Sequence, residues 1–249
     1  MREHRDASSS CHARVVPREG RFFVERPKDL RAATLWHGHG YHRRVLRGRL
    51  EALSRHLGVT DGARVLDYGC GDVPYRHFFP RDVDYVAADL PGNALATLTL
   101  SQDATVPVPD GSFDAVVSTQ VLEHVSDPGL YLSECLRVLR PGGRLLLSTH
   151  GAFAYHPDPV DFWRWTCAGL RRIVEEQGFR VVEFEGIIGL AATGIQLVQD
   201  ALHHHGPPRR AAQLLAVVAQ GLMTLADRLE SKESRDLNGQ VFGLVAERP

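Results

Sequence analysis

Residues Val65 to Tyr75 read VLDYGCGDVPY: an apolar run that reaches an acid at Asp67, a Gly-Cys-Gly turn, then Pro74, where a helix is expected to begin. That order puts a tight turn at the carboxyl end of a parallel strand, the place where open α/β sheets bind nucleotide-like ligands. Gly69 and Gly71 let the main chain approach a ligand with no Cβ in the way. Asp72 is placed to cap the expected helix, with Pro74 in its first turn. A lone GxG carries little weight, but YVAAD ends in Asp89, 18 residues after Gly71, where such folds set an acid on a ribose.

Working outward, Asp103 follows another apolar run, and PVPDGSFDAVVS introduces a further strand after a glycine turn. LEHV at 122–125 and LRPGGRLLLSTH at 139–150 then supply a loop, a helix and a fifth strand. In this order the segments resemble the class I S-adenosylmethionine-dependent methyltransferases, from about Leu46 to Glu185 and again at the C-terminal strand. The resemblance implies that Asp67, Gly69 and Gly71 line the methionine part of the cofactor, that Asp89 binds the ribose hydroxyls, that Asp103 and Ala104 meet the adenine, and that Gln120 completes the set. One position departs from the family pattern: Val73 stands where the motif often has a third glycine. A dinucleotide-binding domain fits less well, because no glycine three residues past Gly71 opens a helix for a pyrophosphate.

The chain has 249 residues, 43% of them hydrophobic, and a net charge of −1. It is long enough for one α/β domain with additions, and its charge balance argues against a nucleic-acid partner. Strands are expected near 64–68, 84–88, 113–118, 143–149, 180–185 and at VFGLVAE, with helices between. The expected fold is therefore a doubly wound, Rossmann-like, seven-stranded methyltransferase sheet. Residues 1–28 read as an N-terminal arm, partly disordered, and 29–249 as one domain. Two helices separated by Gly38 and Gly40 are expected between Asp29 and Leu57. Two apolar helices over about 190–230 form an insertion before the last strand, either a substrate lid or a dimer interface. Four scattered cysteines, no apolar leader and no long apolar run point to a cytoplasmic protein without disulfides or membrane insertion.

The acceptor site is expected in Ser148 to Leu170, STHGAFAYHPDPVDFWRWTCAGL, which starts where the fifth strand ends. His150 is the first candidate for general base, since a neutral imidazole can take a hydroxyl proton near pH 7; a structural histidine at a strand end is the alternative. His124 is the second candidate. His156, Asp161, Trp163, Arg164 and Trp165 combine aromatic faces with hydrogen-bonding groups, as a sugar acceptor requires, although the tryptophans could equally pack the next helix. HPDPVDFWRWT also resembles a segment of bacterial methyltransferases of sugars, polysaccharides and secondary metabolites, including an actinobacterial enzyme of methylmannose polysaccharide synthesis. Mg²⁺ beside the acceptor is open, with Glu123, His124, Asp127, Asp158 and Asp161 as ligands. The sequence reading is thus O-methylation of a sugar, oligosaccharide or related small molecule, with N- or C-methylation, or a non-catalytic cofactor-binding module, as alternatives.

Overall fold

The computed structural model describes residues 34–249 apart from Gln102, Asp158, Pro159, His205 and Pro207, so the proposed 1–28 arm and the start of the first expected helix lie outside the described residues. A seven-stranded sheet organises the chain in the order β3-β2-β1-β4-β5-β7-β6. The strands are β1 (Arg64–Tyr68), β2 (Asp84–Asp89), β3 (Leu98–Thr99), β4 (Phe113–Thr119), β5 (Leu139–His150), β6 (Arg180–Ile187) and β7 (Val241–Glu247). Neighbouring strands from β3 to β5 are parallel, while β7 runs antiparallel to β5 and β6.

Period-two alternation divides the core between the two faces of the sheet. Leu66, Val116, Leu145, Leu147 and Leu244 face one side, packed with α2 (Pro128–Val138) and α3 (Cys167–Glu176) through Leu132, Cys135, Leu170 and Val174. Val65, Ala115, Val117, Leu146 and Val245 face the other, packed with α1 (Gly40–Ser54) through Leu46, Leu50 and Leu53. Both faces are covered, which is why these strands read as nearly continuous apolar runs.

Helices do not fill every gap between strands. No α-helix follows β1: residues 69–83 form a loop with a single 3-10 turn, Arg76–Phe78, so Asp72 and Pro74 do not open a helix. Pro80 gives the reason. It disfavours helical backbone at the residue before it, and Phe79 is extended at φ −114°, ψ 153°. Phe79, with Tyr75 and Phe78, packs against the sheet where a helix would. Among the described residues of the N-terminal side, Leu35–His39 are turns, and α1 is followed by a 3-10 turn at Arg55–Leu57.

The insertion contains α4 (Leu190–His204), α5 (Arg209–Leu229) and a short α6 (Lys232–Asn238) that the apolar pattern did not announce. α5 buries Ala216, Ala219, Gln220 and Met223 and exposes Leu214, Val218, Leu222, Leu225 and Leu229. Among the described residues, no helix is long and apolar enough to cross a membrane.

The turn after β1 holds strained backbone. Gly69 has φ +83°, and a Cβ there would come within 2.6 Å of Val121 Cγ2, so the position requires glycine. Val73, in the third glycine position, holds φ +54°. A β-branched residue in left-handed backbone costs about 1–2 kcal/mol. Val73→Gly should relieve that strain and offset the roughly 0.4–1 kcal/mol entropic cost of a new glycine. Its denaturant midpoint should equal or exceed that of the parent; a loss above about 1 kcal/mol would show the turn to be unstrained.

Candidate active site

The carboxyl ends of β1, β2, β4 and β5 converge on one edge of the sheet. Asp67, at the end of β1, is buried, and Tyr85 Oη donates to its Oδ2 at 2.7 Å. Burial pushes its carboxyl up to about 7 despite that hydrogen bond, with the charges of Asp89 and Asp72 adding to the rise. Asp89, at the end of β2, accepts the Gly71 N–H at 3.0 Å and the Asn93 amide at 2.7 Å on Oδ2, and the Leu90 N–H at 2.8 Å on Oδ1. Asn93 also donates to Gly71 O at 2.7 Å, so it ties the glycine turn to the acid. A Cβ at Gly71 would meet nothing within 4 Å, which leaves the turn open to a ligand. Asp103 is exposed and accepts the Thr105 N–H. Ala104 has φ +65° and its carbonyl accepts from Tyr68 Oη. Gln120, at φ +56°, donates to Ser148 Oγ at 3.0 Å and keeps a buried, unpartnered Oε1. These expected cofactor residues all lie along strand ends.

The second half of the site is built on Glu123. A 3-10 turn, Leu122–His124, follows β4 and turns Glu123 into the interior with its side chain 0% exposed. Thr149 Oγ1 donates to its Oε2 at 2.9 Å. Its Oε1 lies 2.5 Å from Nδ1 of His150, whose side chain is 3% exposed. Burial alone would raise the Glu123 pKa, but contact with His150 and the charges of His150 and His124 outweigh burial and hold it below the usual carboxylate range. His124 turns its Nδ1 to Val160 O at 2.6 Å and its Nε2 toward Glu123 Oε1 at 4.0 Å.

Around His150 is a cage of rings. Phe153 stands at 4.2 Å, His156 at 4.6 Å and His42, from α1, at 6.2 Å between centroids, the last nearly parallel. Burial lowers His42 to about 3 and His156 to about 4. Phe153 and His156 continue into a groove of about 450 Å³, whose other walls include Trp36, His39, Tyr155, Asp200 and His203. α4 therefore supplies one wall, through Asp200 and His203, and Asp200 lies 3.4 Å from His39.

The 150–166 segment is held as a strap. The N–H groups of Phe162 and Trp163 donate to Glu123 O at 2.8 and 3.3 Å, and Trp163 Nε1 donates to Val125 O. Arg164 grips Asp161 with both terminal nitrogens at 2.5 Å and gives its remaining hydrogens to the carbonyls of Phe153, Ala154 and Trp163. All five guanidinium donors are used inside the chain. The hydrogen bonding to acceptor hydroxyls expected of Asp161 and Arg164 thus gives way to a holding role. Trp165 packs against the core, and Trp163 stacks on it at 5.9 Å. Among the described residues the Mg²⁺ set does not come together: Asp127 caps α2 through Leu130 N and Asp161 is engaged by Arg164, while Asp158 lies outside the described residues. His39, His42, Asn93 and Asp200 were not foreseen; they come from turns and helices distant in sequence.

Known proteins resemble this chain in part of its sequence and in its fold. Residues 66–147 match the methyltransferase domain family. A "probable S-adenosylmethionine-dependent methyltransferase" of Mycolicibacterium smegmatis is 39% identical over 34% of this chain and 35% of its own length. A ubiquinone biosynthesis O-methyltransferase of Xanthomonas oryzae pv. oryzae is 36% identical over 41% of this chain and 48% of its own. The chain thus spans between a third and a half of the length of these curated relatives. Among solved structures, the Haemonchus contortus phosphoethanolamine N-methyltransferase 2 in complex with S-adenosyl-L-methionine matches with a TM-score of 0.52 at 17% identity, over 87% of this chain and 58% of that one. The 1,6-didemethyltoxoflavin-N1-methyltransferase of Burkholderia thailandensis matches with a TM-score of 0.51 at 16% identity, over 82% and 78%. The sheet order and flanking helices are those of the S-adenosylmethionine-binding methyltransferase fold.

Two outcomes check the site. The raised pKa of Asp67 means the folded chain keeps a proton that the unfolded chain releases near pH 4, so stability falls as pH rises from about 4 to about 7. Asp67→Asn should flatten that part of the stability–pH curve; an unchanged slope would remove Asp67 as its source. Arg164→Ala should raise amide exchange across 153–164 at least about tenfold while the core strands stay protected. Unchanged exchange would deny the strap its clamp.

Proposed function

We propose that the protein, whose residues 66–147 match the methyltransferase domain family, is a class I, S-adenosylmethionine-dependent methyltransferase that methylates a hydroxyl oxygen of a sugar or similar polyhydroxylated small molecule. The observation that carries this reading is the buried contact of Glu123 with His150, directly behind the groove walls Phe153 and His156.

The cofactor site fits the group. The open face of Gly71, the Asp89 carboxylate tied to the turn by Asn93, and the unpartnered Oε1 of Gln120 lie at the strand ends where the family holds S-adenosylmethionine. Asp67, Gly69, Gly71, Asp89, Asp103, Ala104 and Gln120 would hold it. When bound, it supplies a methyl group on a positively charged sulfur, which leaves as a neutral thioether.

The chain's own task is to position and deprotonate the acceptor. A hydroxyl is a poor nucleophile while protonated, and its proton must leave as the oxygen attacks. Glu123, held ionised, lies 2.5 Å from Nδ1 of His150, and the Glu123–His150 centre takes up that proton. Aromatic faces at Trp36, Phe153 and Tyr155, beside His39, His156 and Asp200, give the groove the stacking and hydrogen-bonding surfaces of a sugar site. The amines that N-methyltransferases use need less help from a base, which is why the buried pair favours oxygen. The O-methyltransferase name of the Xanthomonas relative, matched over 48% of its length, points the same way.

A panel of glycosides and polyols incubated with labelled S-adenosylmethionine tests this reading. Product mass should rise by one methyl on oxygen, and His150→Ala should lower kcat by about 10²- to 10⁴-fold with cofactor affinity intact. Methylation only of amines, or a His150→Ala rate within about threefold of the parent, would contradict it.

A further inference from the structure

Three donors meet at the centre of this site from three separate segments: Glu123 on the turn after β4, His150 at the end of β5, and His156 on the strap. One ligand atom from each lies within 4.8 Å of the other two. Glu123 Oε1 and His150 Nδ1 face each other at 2.5 Å, yet neither is aligned for a hydrogen bond, and both are buried. Both are buried donor atoms that no other group of the chain takes up, and they stand uncommitted at the point where His156 approaches.

We propose that Glu123, His150 and His156 seat one divalent transition-metal ion. Two imidazoles and one carboxylate suit Zn²⁺, Co²⁺, Fe²⁺ or Mn²⁺, whereas Mg²⁺ and Ca²⁺ take sets made of oxygen. The surroundings are those of a prepared site. Thr149 Oγ1 holds the second oxygen of Glu123, and Asp161 Oδ2, itself held by Arg164, stands 3.2 Å from His156 Nδ1. Asp161 Oδ2 also accepts the main-chain N–H of His156 at 2.9 Å, which anchors the residue that carries the imidazole. This gives Arg164 and Asp161 a reason to spend all their hydrogen bonds inside the strap: they hold His156 over the other two donors. Three protein ligands leave a coordination position open on the groove side, where an acceptor hydroxyl can bind and be acidified. That last role rests on the methyl-transfer reading above; the metal seat itself does not.

The test therefore uses neither acceptor nor cofactor. Metal-stripped full-length protein is titrated with Zn²⁺ in competition with a chromophoric chelator, and separately with Co²⁺ while the visible d–d bands are recorded. One ion per chain should bind, and His150→Ala and His156→Ala should each weaken binding at least about 100-fold and alter the Co²⁺ bands. Glu123 and His150 are fully enclosed and their variants can unfold, but His156 is on a half-exposed loop, and a thermal melt verifies its fold. Absence of binding to the parent protein, or parental affinity in a folded His156→Ala, overturns the proposal. A chain that transfers methyl groups but binds no metal loses this inference alone, while one that binds metal and transfers nothing loses only the methyl-transfer reading.

Discussion

A carboxylate with no exposed surface is the constraint on which the rest of the site depends. Removing an ionised Glu123 from water costs several kcal/mol, and the structure offsets that cost from every side. Thr149 donates to one oxygen, His150 meets the other, and His124 adds a second imidazole within reach. The main chain takes part too, because the carbonyl of Glu123 receives the N–H groups of Phe162 and Trp163. The strap is thus tied to the main chain of the same residue whose side chain meets His150. That coupling explains why so many polar side chains gather in what would otherwise be core between β4 and β5.

The remainder of the fold serves to close the space above this charge. α1 brings His42 against His150, and Gln240, just before β7, holds the Nδ1 of His42 at 2.8 Å. The turn before α1 and helix α4 meet through His39 and Asp200 to wall the groove. Gln199 reaches from α4 to Gly38 O at 2.7 Å, and Gln220 from α5 to Leu35 O at 2.8 Å. The insertion thus locks the N-terminal turn over the strand ends. α4 walls the groove through Asp200 and His203, and the exposed leucines of α5 face away from its buried side.

Much of this was legible in the sequence, for identifiable reasons. The strands could be read because both faces of the sheet are covered, which makes Val65–Tyr68, Phe113–Thr119 and Val241–Glu247 buried nearly throughout and mostly apolar. The turn after β1 could be located from its glycines and from the spacing of Asp89. The expected helix there failed because a single proline, Pro80, outweighs the capping signals of Asp72 and Pro74. β3 is two residues long, too short for a period to show. His150 was reachable because it is the last residue of a strand. Glu123 was visible beside His124 but not as the anchor of His150, since that pairing exists only once β4 and β5 lie in register. Arg164 illustrates the opposite error: its residue type suggested ligand contact, and its surroundings use up every donor.

The central claim is that Glu123 and His150 act as one unit, and a double-mutant cycle on kcat/KM for methyl transfer tests it most directly. Glu123→Gln, His150→Gln and the double variant are compared with the parent on the best acceptor found, with cofactor affinity measured for each. If the two residues work together, either single substitution costs nearly as much as both, with a coupling energy above about 1.5 kcal/mol. Additive losses, each with cofactor binding intact, would show two independent residues and contradict the account.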